Sequence, residues 1–181
     1  MDKWLDKCKL ESNYLLSLKS EFVVNYMDSW LEVDTYYIQT ELCDYTLRGI
    51  MNAKREVFDR QNKSKPMNII EMFISIELLV EMLDCINYIH RQTPSIIHRD
   101  IKPENFLIKL VANGGHFVKL ADFGSAIDHS SDSCHSLNVG TTMYSAPEIL
   151  VGHYNTSADI YSMAIIVDEL FDIMIVSEYA I

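Results

Sequence analysis

Four side chains near the middle of the sequence have types and spacing that can do chemistry: Asp100, Lys102, Asn105 and Asp122. The first three lie within His98-Arg99-Asp100-Ile101-Lys102-Pro103-Glu104-Asn105, and the fourth opens Asp122-Phe123-Gly124. A carboxylate, an ammonium group and two hard oxygen ligands suit phosphoryl transfer. That reaction needs an acceptor for the proton of the attacking hydroxyl, a cation on the transferring group, and ligands that fix Mg²⁺ relative to both. Asp100 would take the proton, Lys102 supply the cation, and Asn105 and Asp122 hold the metal. Taken singly, an aspartate is more often a helix cap or a surface charge, and a lone Asp-Phe-Gly is a weak signal. The ordered set, followed by Ala146-Pro147-Glu148, is a strong one.

The surrounding pattern supplies elements to position these groups. Residues 9–18 alternate at helical spacing with Leu10, Tyr14, Leu15 and Leu18 on one side. The runs Phe22 to Tyr26 and Tyr36 to Thr40 are rich in β-branched and aromatic residues and predict strands. A charged segment, Asp44 to Lys65, contains a short helical stretch near Leu47 to Phe58 and is closed by Pro66. Asn68 with Glu71 predicts a capping box, opening a long amphipathic helix whose buried face is Phe73, Ile76, Leu79, Leu83 and Ile86. Asn113-Gly114-Gly115 predicts a hairpin turn between short strands rather than a phosphate loop. Residues 158–174 are apolar on most sides and predict a helix inside the fold.

Composition narrows the partners. The 181 residues suffice for one domain with a real core, and 49% of them are hydrophobic. A net charge of -11 argues against nucleic acid or an anionic membrane as the main partner. Asp168, Glu169 and Asp172 interrupt the apolar C-terminal stretch, so it does not read as a membrane span. The four cysteines form no CxxC pair and predict reduced thiols in a cytosolic or nuclear compartment. His129, Cys134 and His135 fit no standard zinc spacing.

From about Glu11 to Phe171 the chain resembles a eukaryotic-type serine/threonine protein kinase. The resemblance rests on His98-Arg99-Asp100…Lys102…Asn105, Asp122-Phe123-Gly124 and Ala146-Pro147-Glu148. It implies an α+β fold, with a remnant N-lobe over residues 1–43 and a partial, mainly helical C-lobe over 44–181. ATP and Mg²⁺ would be the nucleotide and the metal, and a protein the substrate. By the same matching, Thr40 is the gatekeeper, Glu41 and Cys43 the hinge, and Leu107 the adenine floor. Glu11 is the αC glutamate, and Thr141 bridges the catalytic aspartate and lysine. His98 and Phe123 join a hydrophobic spine with Leu15 and Tyr26, so His98 is not a catalytic base. Asp159 would hold the catalytic loop by its N–H groups.

Within the family, Asp28-Ser29-Trp30-Leu31-Glu32 and Tyr37 to Cys43 are similar to the kinases of the translation initiation factor 2 alpha subunit. That similarity implies this factor as substrate and dimerisation with another kinase. The mitosis-inhibitory kinases share much of the hinge pattern. Arg99 before the catalytic aspartate implies activation by phosphorylation, with Ser136 at the regulatory position; a solvated serine-rich loop is the alternative. No Gly-x-Gly-x-x-Gly and no Val-Ala-Ile-Lys strand occur, and the family's distal helices, one of which brings an arginine to Glu148, would lie past Ile181. The chain alone is therefore expected to turn over ATP weakly or not at all. Two functions fit: a piece of a longer kinase, or a non-catalytic kinase-like module that binds kinases or their substrates. A decoy has no need of Lys102, Asn105 and Asp122 together, which favours the first.

Overall fold

The computed structural model describes residues 3–60, 65–112, 115–129, 143–152 and 154–173. Helix α1 (Lys3–Ser17) leads into the antiparallel hairpin β1 (Tyr26–Glu32) and β2 (Thr35–Thr40). A short strand β3 (Tyr45–Thr46) runs directly into α2 (Leu47–Val57), and α3 (Ile69–His90) follows. Beyond them come β4 (Ser95–Ile97), β5 (Phe106–Leu110), β6 (His116–Leu120), β7 (Ile127–His129) and α4 (Ser157–Phe171). The strands form three small sheets, β1-β2, β3-β5-β6 and β4-β7, antiparallel throughout. Helix and strand are mixed as in the expected α+β, partial kinase-like fold.

Local chemistry sets most boundaries. Thr46 caps α2 by accepting the Gly49 N–H, and Asn68 caps α3 by accepting from Ile70 and Glu71. The β5–β6 hairpin pairs Leu110 with His116, and Val111 donates to the Gly115 carbonyl across the turn. Three expectations need correction. Helix α1 begins at Lys3, not residue 9, and Leu10 is exposed while Tyr14, Leu15 and Leu18 are buried. Phe22 to Tyr26 is not a strand: Val23 makes one isolated parallel bridge to Leu120, and the strand proper starts at Tyr26. Helix α4 stops at Phe171, where Asp172 turns left-handed at φ 53°.

Helix α3 corrects the sequence twice. Its buried side is Leu78, Met82, Cys85, Ile86 and Ile89, whereas Phe73, Ile76 and Leu83 are exposed. The helix is apolar around most of its circumference, so periodicity cannot select the inward face. Glu71 does not close a capping box. It is fully buried, accepts from Arg60 at 2.5 Å and faces the Lys54 ammonium at 3.6 Å. A carboxylate so deep persists only because cations come with it. The inward side of α3 lies against β6, with Cys85 Sγ donating to the Val118 carbonyl at 3.3 Å. Burial pushes the Cys85 thiol up to about 12, so it is a packing group.

Candidate active site

The segment between β4 and β5 carries His98 to Asn105, and α4 holds it from beneath. Asp159, fully buried in the first turn of α4, accepts the His98 and Arg99 backbone N–H groups at 2.9 Å each and contacts the His90 ring at 2.8 Å. Arg99 sits at φ 67°, a left-handed conformation that a non-glycine residue keeps only under restraint. Its guanidinium donates to the Ser125 carbonyl at 2.6 Å and to Tyr154 at 2.9 Å.

Held this way, Asp100, Lys102 and Asn105 converge. Lys102 Nζ donates to Asp100 Oδ2 at 2.6 Å, and Asn105 Nδ2 donates to the Asp100 carbonyl at 2.8 Å. Because Asn105 donates through Nδ2, its Oδ1 remains as a hard oxygen ligand. The Ala121 N–H donates to the Asn105 carbonyl at 2.9 Å, joining the loop to the segment that opens with Asp122. Phe123 is buried, and its ring meets His98 edge-on at 5.0 Å. With Phe123 turned inward, Asp122 is left exposed at φ 63° on the other side. Asn105 and Asp122 thus present the donor set that suits Mg²⁺.

His98 is fully enclosed. Burial pulls its pKa below the usual histidine value, and its Nδ1 faces the Asp100 N–H while Nε2 meets the Ala121 carbonyl at 3.0 Å. A neutral ring with the proton on Nε2 satisfies both contacts. Leu15 and Tyr26 pack in the same core as Phe123. Tyr14 joins them, its ring 6.3 Å from Phe123 and its hydroxyl donating to Asp128 at 3.1 Å. Glu11 on α1 reaches the same place. A methyl group at Gly124 would lie 3.2 Å from Glu11 Oε2 and 3.3 Å from Asp122 Oδ1, so a larger residue there would push these carboxylates back by a few tenths of an ångström.

At the opposite rim, Thr40 ends β2 half-buried across from Tyr26. The Glu41 N–H donates to the Asn25 carbonyl, and Asn25 N–H donates back to Glu41 Oε1, both at 2.9 Å. Lys119 lies 3.0 Å from the same carboxylate, and Lys109 pairs with its other oxygen. Burial disfavours that charge, but the Lys109, Asn25 and Lys119 hydrogen bonds outweigh it and hold the carboxyl below its usual range. Glu41 can therefore offer a nucleotide its carbonyl, not its side chain. Pairing of β3 with β5 sets Thr46 opposite Leu107, and Cys43 and Leu107 are both part-buried against the same core. Ser136 and Thr141 lie outside the described residues. Glu148 is half-buried in the turn Pro147–Val151 and makes no ion pair among the described residues.

Residues 2–178 match the protein kinase domain. The chain belongs to the protein kinase family. It is 33% identical over 171 residues to probable serine/threonine-protein kinase WNK9 of Oryza sativa subsp. japonica, covering 93% of this chain and 37% of that one. It is 30% identical over 151 residues to mitosis inhibitor protein kinase SWE1 of Saccharomyces cerevisiae, covering 83% and 17%. With serine/threonine-protein kinase pakG of Dictyostelium discoideum it shares 34% over 168 residues, 91% and 13%. The chain thus spans between 13% and 37% of the length of these curated relatives. By family it is a protein serine/threonine kinase. Sequence reasoning missed several partners in this site: His90 on Asp159, Tyr14 on Phe123, and Lys109 and Lys119 on Glu41. Each contact joins residues far apart in the chain and leaves no local signal.

Proposed function

We propose that the native polypeptide carrying this chain transfers the γ-phosphoryl group of ATP to serine or threonine hydroxyls of a protein. The observation that carries this is the convergence of Lys102 and Asn105 on Asp100, joined through the Ala121–Asn105 hydrogen bond to Asp122. The substrate oxygen attacks the γ-phosphorus, the bond to the β-phosphate oxygen breaks, and ADP leaves with the electron pair. Asp100 receives the hydroxyl proton, and Lys102 steadies both that carboxylate and the charge on the transferring group. Asn105 and Asp122 would hold Mg²⁺, which neutralises phosphate charge when bound. Main-chain groups of Glu41 and Cys43 would receive the adenine above Leu107. Lys102 two residues after the catalytic aspartate supports serine or threonine as acceptor.

The finer assignment rests on the hinge pattern. It supports the translation initiation factor 2 alpha subunit as substrate and a dimer with a second kinase, while the cysteine pattern supports a cytosolic or nuclear site of action. The hinge pattern shared with the mitosis-inhibitory kinases, which act on cyclin-dependent kinases, supports the latter as the second candidate substrate. The test is phosphorylation of purified factor and purified cyclin-dependent kinase by the native polypeptide with Mg²⁺ and labelled ATP. Label on a serine of the factor is the expected product. Label on the cyclin-dependent kinase alone would move the assignment, and label on neither would end both substrate proposals.

A further inference from the structure

One side chain beside the catalytic loop is held by more partners than its place on the surface requires. Arg48, near the start of α2, donates through Nε to Glu104 at 2.8 Å and through Nη1 to Glu169 on α4 at 2.7 Å. Its third nitrogen, Nη2, reaches the Tyr144 hydroxyl, which itself donates to the other oxygen of Glu169. Burial works against the guanidinium charge, yet the Glu169 and Glu104 hydrogen bonds outweigh it and push its pKa up. The group is not hidden: the side chains of Arg48 and Glu104 are 28% and 46% exposed.

Position gives this cluster its meaning. Glu104 shares the turn Pro103–Asn105 with Asn105, whose amide is bonded to Asp100. Tyr144 is fixed to α4 by Ser162, which donates to its carbonyl at 2.7 Å. A polypeptide presenting a hydroxyl to Asp100 would run beside the turn that carries Glu104. Two carboxylates at such a place would attract an arginine or lysine of the substrate by charge-assisted hydrogen bonds. Here Arg48 already engages both of them, and each of its three nitrogens makes a hydrogen bond within the cluster.

We propose that Arg48 is a specificity-determining residue: it occupies, from within the chain, the acidic place beside Asp100 that would otherwise take a basic side chain of the protein substrate. This inference rests on the kinase reading. It implies that the substrate segment running past Glu104 and Tyr144 carries no required arginine or lysine there.

The experiment uses the native polypeptide, Mg²⁺ and ATP with pairs of peptides that differ only by arginine or glutamine at one position flanking the acceptor serine. The wild type is expected to treat the members of each pair alike, within about twofold. Arg48→Gln takes the guanidinium from Glu104 and Glu169, and one position should then favour arginine by about tenfold in kcat/KM, the scale of an exposed hydrogen bond to charge. Adding Glu104→Gln should reduce that preference again. Arg48→Lys, which keeps a charge for the fold but loses the fork, should shift it in the same direction by about threefold. A wild type that already prefers arginine tenfold at such a position overturns the inference. So does an Arg48→Gln enzyme that loses activity equally on both peptides of every pair. No transfer by the wild type to any peptide or protein would overturn the kinase reading as well.

Discussion

Replacing Asp159 tests whether the catalytic loop hangs from α4. Asp159→Ala removes the acceptor for the His98 and Arg99 N–H groups and the partner of the His90 ring. Two buried backbone donors left without an acceptor cost about 1–3 kcal/mol each, so the fold should lose about 2–6 kcal/mol. That is a large share of the roughly 5–15 kcal/mol of an ordinary domain. Arg99 at φ 67° is a second consequence. Its strain, about 1–3 kcal/mol, is restrained by the same carboxylate, and release would let the loop relax and carry Asp100 away from Lys102. Asp159→Asn keeps one carbonyl oxygen, can satisfy only one of the two N–H groups, and should lose about half as much. Urea unfolding followed by tryptophan fluorescence measures the loss as a shift in midpoint at constant slope, and kcat reports the displaced loop. Both variants within about 0.5 kcal/mol of the wild type, with kcat unchanged, would refute the reasoning.

Gly124→Ala should raise the Mg²⁺ concentration needed for half-maximal activity, because the added methyl crowds Asp122 and Glu11 at 3.3 and 3.2 Å. An unchanged Mg²⁺ titration in a kinase assay would speak against that packing. The Glu41 carboxyl is held low in the folded state, so its stabilisation is present above the usual glutamate value of about 4.3. It is lost as pH falls through the depressed value. Glu41→Gln should flatten the acid limb of a stability–pH curve and raise the KM for ATP through a loosened hinge. His98 has the same sign for a different reason. Its folded pKa is depressed, so the unfolded chain binds the extra proton and stability declines as pH drops below about 6.5. His98→Phe should remove that part of the slope, measured by thermal unfolding between about pH 5 and 8.

The catalytic groups were legible because phosphoryl transfer confines Asp100, Lys102 and Asn105 to one short loop, where composition and spacing are visible together. Asp159 was legible only through family resemblance, since its bonds reach 60 and 61 residues back along the chain. The N-cap and the hairpin were legible where chemistry is local, as at Asn68 and the β5–β6 turn. Glu71 was not, because its partner Arg60 comes from a charged segment that reads as solvated surface. The inward face of α3 was illegible for the opposite reason: with apolar residues on nearly every side, the helix takes its orientation from Val118 and the rest of β6. Arg48 and Glu169 are 121 residues apart, and only the folded chain brings them together.

The most direct measurement is single-turnover transfer from γ-labelled ATP by the native polypeptide and its Asp100→Asn variant. The amide keeps the size of the carboxylate and most of its contacts but cannot accept the hydroxyl proton. With Asp100 as the proton acceptor, Mg²⁺-dependent label appears on serine or threonine, and the variant slows by about 10²–10⁴-fold while its affinity for ATP is maintained. Transfer at the wild-type rate by Asp100→Asn would contradict the assignment.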